Sequence, residues 1–150
     1  MARFRFRLQP LLRARRIAEQ EKQRVVADIE RQRRDLEDQL RRKQEQIASG
    51  KQNLRNDLTG SIHAPSLRLQ AHNSLNVMRD AQRLVLELAG VHRRLDSARQ
   101  ELQEATRQRR AIELLRDRRY EQWLREQDRI DAAMIDELAV QAAARKEDRP

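Results

Sequence analysis

Three histidines, His63, His72 and His92, are the residues best suited to holding a metal or moving a proton. Their spacing serves neither task. There is no HExxH pair and no Gly-rich loop to grip a phosphate. With no Cys in 150 residues, disulfide and thiolate chemistry are absent too. The 24 Asp and Glu are interleaved with Arg, as on a solvated helix face, and do not form an isolated acid and base pair. The expectation is a chain with no catalytic residue, no cofactor and no metal. It is read as not an enzyme, with each His a plain surface residue.

The remaining chemistry is that of contact surfaces. Only four aromatic side chains occur, and they sit at the two ends: Phe4 and Phe6 in MARFRFRLQPLL, Tyr120 and Trp123 in RRYEQWLREQDR. Arginines cluster at Arg13, Arg15 and Arg16, at Arg31, Arg33 and Arg34, and at Arg107, Arg109 and Arg110. A net charge of +9 suits nucleic acid, an anionic membrane surface or an acidic protein. A bZIP-type reader has one concentrated basic region before a parallel zipper. Here acid and base are mixed throughout, so a basic coiled coil that binds nucleic acid is the alternative and no specific nucleic acid is expected. The segment RFRFRLQPLLRARR interleaves Phe and Leu with Arg, but it is too short for more than weak membrane binding. An arm docked on the rest of the chain fits it better.

The elements that hold these residues must be helices. Three Gly and three Pro give few turns, and Arg, Glu, Gln, Leu and Ala favour helix. A mean hydropathy of −1.00 leaves too little apolar material for a thick core, so a narrow seam between long helices is expected. The interior break is LTGSIHAPS, where Gly60 is expected to end one helix in the left-handed conformation and Pro65 to open the next. Before it, Val26, Leu40, Ile47 and Leu54 share one heptad register and Ile29 and Leu36 the companion register, with Arg33, Lys43 and Gly50 as interruptions. After it, Ala81, Leu88, Leu95 and Leu102 share one register; Leu84, Val91, Ala98, Ala105 and Ile112 share the other. Arg109, Arg116, Arg119 and Glu126 then replace apolar residues before Trp123 and Ile130 recover the pattern.

A short turn makes consecutive helices antiparallel, so facing residue numbers should sum to about 124. Leu54 is then near Gln70, Ile29 near Leu95, and Phe4 near Tyr120. The fold class expected is all-α, a long antiparallel two-helix coiled-coil hairpin with an overhanging C-terminal helix. It forms one domain over residues 1–150: helix one over about 10–58, a turn over about 59–65, helix two over about 66–142, and a frayed tail over 143–150. The first helix would run roughly 74 Å and the second roughly 115 Å at 1.5 Å per residue. The four aromatics therefore meet at the open end, where they close it by packing together, face another molecule, or do both. No apolar run approaches the roughly 20 residues of a membrane span, and Arg3, Arg5 and Arg7 interrupt the N-terminal apolar residues, so a cytoplasmic protein is expected.

The N-terminal FRFRLQPLLRARR, the central Gly/Pro break and the late RRAIELLRDRRYEQWLREQDR together resemble the flagellar export protein FliJ family. The match in length and layout covers nearly the whole chain. The resemblance implies the non-enzymatic, stalk-like component of the flagellar type III export ATPase. Its expected partners are the hexameric export ATPase, the cytoplasmic domain of the export gate and empty export chaperones, with peripheral membrane association through that complex. The expected ring contacts are Phe4, Phe6, Leu8, Leu11 and Leu12 together with Tyr120, Trp123, Leu124 and Arg125. For the gate, the family's contact falls in the early second helix, which here holds Leu75, Met78 and Gln82. The stalk of a virulence-type secretion system is the related alternative.

Overall fold

The structure is a computed structural model in which residues 3–61 and 63–147 are described, with side chains through residue 142. It is all-α. Helix α1 spans Gln9–Asp57 and helix α2 spans Ala64–Glu147, 49 and 84 residues long, and the two pack against each other. The chain divides into two compact units. Residues 20–104 form one; residues 1–19 with 105–150 form the other.

In the 20–104 unit the ends of both helices at the turn have identifiable causes. The carbonyl of Leu54 accepts from the Leu58 N–H at 3.1 Å, and the Asn56 carbonyl then accepts from the Thr59 N–H at 3.2 Å. The Thr59 hydroxyl donates to the same carbonyl at 2.6 Å. A tightened last turn and a hydroxyl thus satisfy carbonyls that the helix leaves open. The left-handed glycine expected at Gly60 is not there, since no described glycine has a positive φ. Helix α2 opens with the His63 carbonyl accepting from the Leu67 N–H at 3.2 Å. Pro65 occupies the second helical position, where a missing N–H costs no intrahelical bond. Pro10 is likewise the second residue of α1.

The seam of this unit follows steps of three and four residues. On α1, Lys22, Val26, Ile29, Arg33, Leu36, Leu40, Lys43, Ile47 and Gly50 are withdrawn from solvent. On α2, Ala81, Leu84, Leu88, Val91, Leu95, Ala98 and Leu102 are withdrawn, and Val91, Leu95 and Ala98 are buried outright. Leu54 departs from expectation and is exposed, because α1 carries no buried residue beyond Gly50. The interruptions keep their seam positions and find polar partners. Lys43 pairs with Asp80 at 3.0 Å, and Lys22 with Glu101 at 2.5 Å. Opposite Gly50 stands the hydroxyl of Ser74. Arg33 is less well served: its buried Nε lacks a hydrogen-bond partner and lies 3.7 Å from Glu37.

In the other unit the start of α1 lies against α2. A turn closed by the Gln9 N–H donating to the Phe6 carbonyl at 3.1 Å leads into the helix. Leu12 is completely buried and Ile112 is half-buried. Beyond Gln127, every α2 side chain through Ala142 is exposed. The helix continues to Glu147, past the boundary expected at 142, because Ala, Gln, Arg, Lys and Glu are strong helix formers and no Gly or Pro intervenes. Residues 148–150 of the expected tail lie outside the described residues.

Candidate partner-binding surface

The aromatic residues gather within the unit that holds both chain ends. An extended arm at residues 3–6 lays Phe4 across α2, where Tyr120 and Trp123 present their rings three residues apart on one helical face. The centroid of Phe4 lies 5.2 Å from that of Tyr120, edge-on at 70°, and 5.9 Å from that of Trp123. Tyr120 and Trp123 stack at 5.9 Å. These separations fall in the range where ring quadrupoles attract. The cluster is not sealed, since Tyr120 keeps 45% of its surface exposed.

Beside the rings is an open groove of about 600 Å³. Its floor includes Phe6, Leu8, Leu115 and Trp123, and Arg5, Arg7 and Arg119 stand around it with one carboxylate, Glu126. The surface is therefore apolar below and mostly cationic at the edge. Leu115 escapes notice in the sequence because it carries no aromatic signal, and Arg119 stands out there only as a break in the heptad register. Their spacing of four and eight residues from Trp123 places them on the same side of the helix.

The expected ring-contact residues separate into two groups. Phe4, Phe6, Leu8, Leu11, Tyr120, Trp123, Leu124 and Arg125 all retain exposed or half-exposed surface. Leu12 does not. Full burial makes it part of the helix seam and leaves it no surface to offer a partner. Leu75, Met78 and Gln82 are exposed on α2 in the other unit.

A charged layer lies under the aromatic end, and sequence reasoning passes over its central residue. Glu19 is buried at a seam position of α1. It accepts from the Thr106 hydroxyl at 2.7 Å and from Nε of Arg109. Arg109 also donates to Glu113, which accepts from Arg16 at 2.8 Å. The Thr106 hydrogen bond, helped by Arg109, holds the Glu19 carboxyl below its ordinary value of 4.5, with burial opposing. The hydrogen bond to Glu19 raises Arg109 in turn. Stepping back seven residues from Val26 reaches Glu19, and the antiparallel register sets it across from the Thr106–Arg109 turn. That was the available signal.

Among the described residues no cluster of three or more His, Cys, Asp or Glu could hold a metal ion, and all three His are exposed. Nor is any described helix long and apolar enough to cross a membrane. The family model described as the flagellar FliJ protein matches residues 4–148. The chain belongs to the FliJ family. No curated protein and no solved structure matches it significantly. The FliJ family is a component of the flagellar export apparatus. In this FliJ family member the match takes in both arms of the aromatic cluster, from Phe4 on one side to Trp123 on the other.

Proposed function

We propose that the protein is the non-enzymatic stalk of the flagellar type III export ATPase. It binds the hexameric ATPase ring, promotes ring assembly and hydrolysis, and contacts the export gate and empty export chaperones. It would work at the inner face of the cell membrane, held there through its partners. The observation that carries the reading is the half-open cluster of Phe4, Tyr120 and Trp123 beside a cationic, apolar-floored groove in a FliJ family chain.

The physical argument concerns asymmetry. Two antiparallel helices present unlike faces, so identical subunits of a ring around them cannot all make the same contacts. Each contact biases a local equilibrium in the subunit that makes it, and the subunits are held in unequal states. Partly buried aromatic anchors with Arg at the rim are the residue types that dominate protein contacts. Phe6, Leu8, Leu11, Leu124 and Arg125 complete the proposed ring surface, and Leu75, Met78 and Gln82 the proposed gate surface.

The test is to mix the purified chain with its cognate export ATPase and follow oligomer mass and hydrolysis together. Both should rise with added protein. A chain that neither binds nor changes either quantity ends the proposal. Tyr120→Ala with Leu124→Ala should weaken the response and leave the helical signal intact.

A further inference from the structure

The stretch of α2 between Arg129 and Arg145 differs in charge from the rest of the chain. Residues 130–142, IDAAMIDELAVQA, carry three carboxylates and no Lys or Arg, in a protein of net charge +9. Asp131, Asp136 and Glu137 make no ion pair among the described residues. On the same stretch Ile130, Met134 and Leu138 follow one another at four-residue steps and share a helical face. They are between 44% and 60% exposed. Asp131 and Glu137, three residues either side of Met134, flank that row. The result is an apolar stripe with acidic edges and nothing packed on it.

The groove beside Trp123 has the opposite character: an apolar floor with three arginines around it and one carboxylate. Apolar character and opposite charge therefore match between two surfaces of one chain. They cannot meet within one molecule. Helix α2 is unbroken from Ala64 to Glu147, and Met134 lies roughly 16 Å further along it than Trp123 at 1.5 Å per residue. A continuous helix does not fold back on itself, so the groove must take the stripe of another copy.

We infer that the chain forms a reciprocal dimer in which the acidic apolar stripe of residues 130–142 from each copy docks into the arginine-rimmed aromatic groove of the other. Both contacts form at once in this exchange, and that reciprocity is what closes it on two molecules, whereas a one-way contact would propagate. Ile130, Met134 and Leu138 supply the apolar contact, and Asp131 and Glu137 meet Arg5, Arg7 and Arg119. An anionic membrane is disfavoured as occupant of the stripe, because its charge has the same sign as the stripe's edges. The docked state closes the groove to other partners.

Sedimentation velocity on the full chain at increasing concentration tests this, in low salt and again at 1 M salt, where the screening length falls to about 3 Å. A reversible monomer–dimer equilibrium that weakens with salt is expected. Met134→Asp with Leu138→Asp should abolish it with unchanged helicity, since both side chains are exposed. Arg5→Glu with Arg7→Glu should weaken it about tenfold or more. Adding Asp131→Arg and Glu137→Arg to that variant should restore it, which a general loss of folding would not permit. A parent chain that stays monomeric at about 100 µM overturns the inference, as does a dimer indifferent to both pairs of substitutions.

Discussion

Phe4 and Tyr120, residues from opposite ends of the sequence, meet edge to face with ring centroids 5.2 Å apart. The contact fastens an arm that has no helical hydrogen bonds of its own to the side of α2. Trp123, stacked on Tyr120, is the only Trp in the chain and so reports on this contact without labelling.

Phe4→Ala should release the arm. Emission from Trp123 is expected to move to the red and become more accessible to a soluble quencher. Helical content should hold, and stability should fall by about 1 kcal/mol, the scale of an aromatic pair. Unchanged emission would mean that the arm does not dock in solution.

Leu95 is 1% exposed at the centre of the seam. Leu95→Ala should cost about 2–4 kcal/mol in urea unfolding followed by circular dichroism. Leu95→Asp should cost more, because a carboxylate at that place loses its water. If both variants melt with the parent, the seam has been assigned to the wrong face.

Acid sensitivity should trace in part to Glu19. Its folded value is held below 4.5, chiefly by the Thr106 hydroxyl and then by Arg109. A depressed carboxylate contributes stability above its unfolded value and loses that contribution as pH falls through the folded one. Stability is therefore expected to drop below about pH 4.5, and Thr106→Val should flatten that acid limb. Melting temperatures between pH 7 and pH 3 would reveal the difference. Glu19→Ala should destabilise at neutral pH by removing the Thr106 and Arg109 hydrogen bonds, leaving Arg109 with Glu113 alone, whereas Glu19→Leu with Arg109→Leu should recover much of the loss.

Gly50 and Gly90 lie inside helices with ordinary backbone angles. A Cβ at Gly50 would stand 3.6 Å from the Ser74 hydroxyl, an ordinary contact, and one at Gly90 would meet nothing within 4 Å. Each Gly→Ala change should therefore stabilise by about 1 kcal/mol, read as a higher melting temperature.

The second helix was the more legible half of the sequence. From Ala81 to Ala105 its heptad positions are apolar, and every one of them is withdrawn from solvent. The pairing register was legible too, as Gly50 beside Ser74 and Phe4 beside Tyr120 both show. Helix α1 hid its seam because Glu19, Lys22, Arg33 and Lys43 occupy positions where periodicity looks for apolar side chains. Those residues make sense only with their opposites, Arg109 for Glu19 and Asp80 for Lys43, and the opposites lie far away in the sequence. The cause of the turn was misjudged in the sequence, since a Thr59 hydroxyl does the work assigned to Gly60. At the candidate surface the aromatic cluster could be foreseen from the register. The burial of Leu12 could not, because Leu8, Leu11 and Leu12 look alike as neighbouring apolar residues until α2 covers one of them.

Because the pairing is antiparallel about a single turn, each contact further from the turn closes a longer loop of chain. Asp57 with Gln70 closes a short loop and Phe4 with Trp123 a far longer one. Loop-closure entropy grows with that length. On closure entropy alone, contacts near Thr59 form at the least cost and the rings at the greatest. The aromatic latch therefore carries the largest closure cost of the hairpin, and its ring contacts offset that cost at the end proposed to grip another molecule.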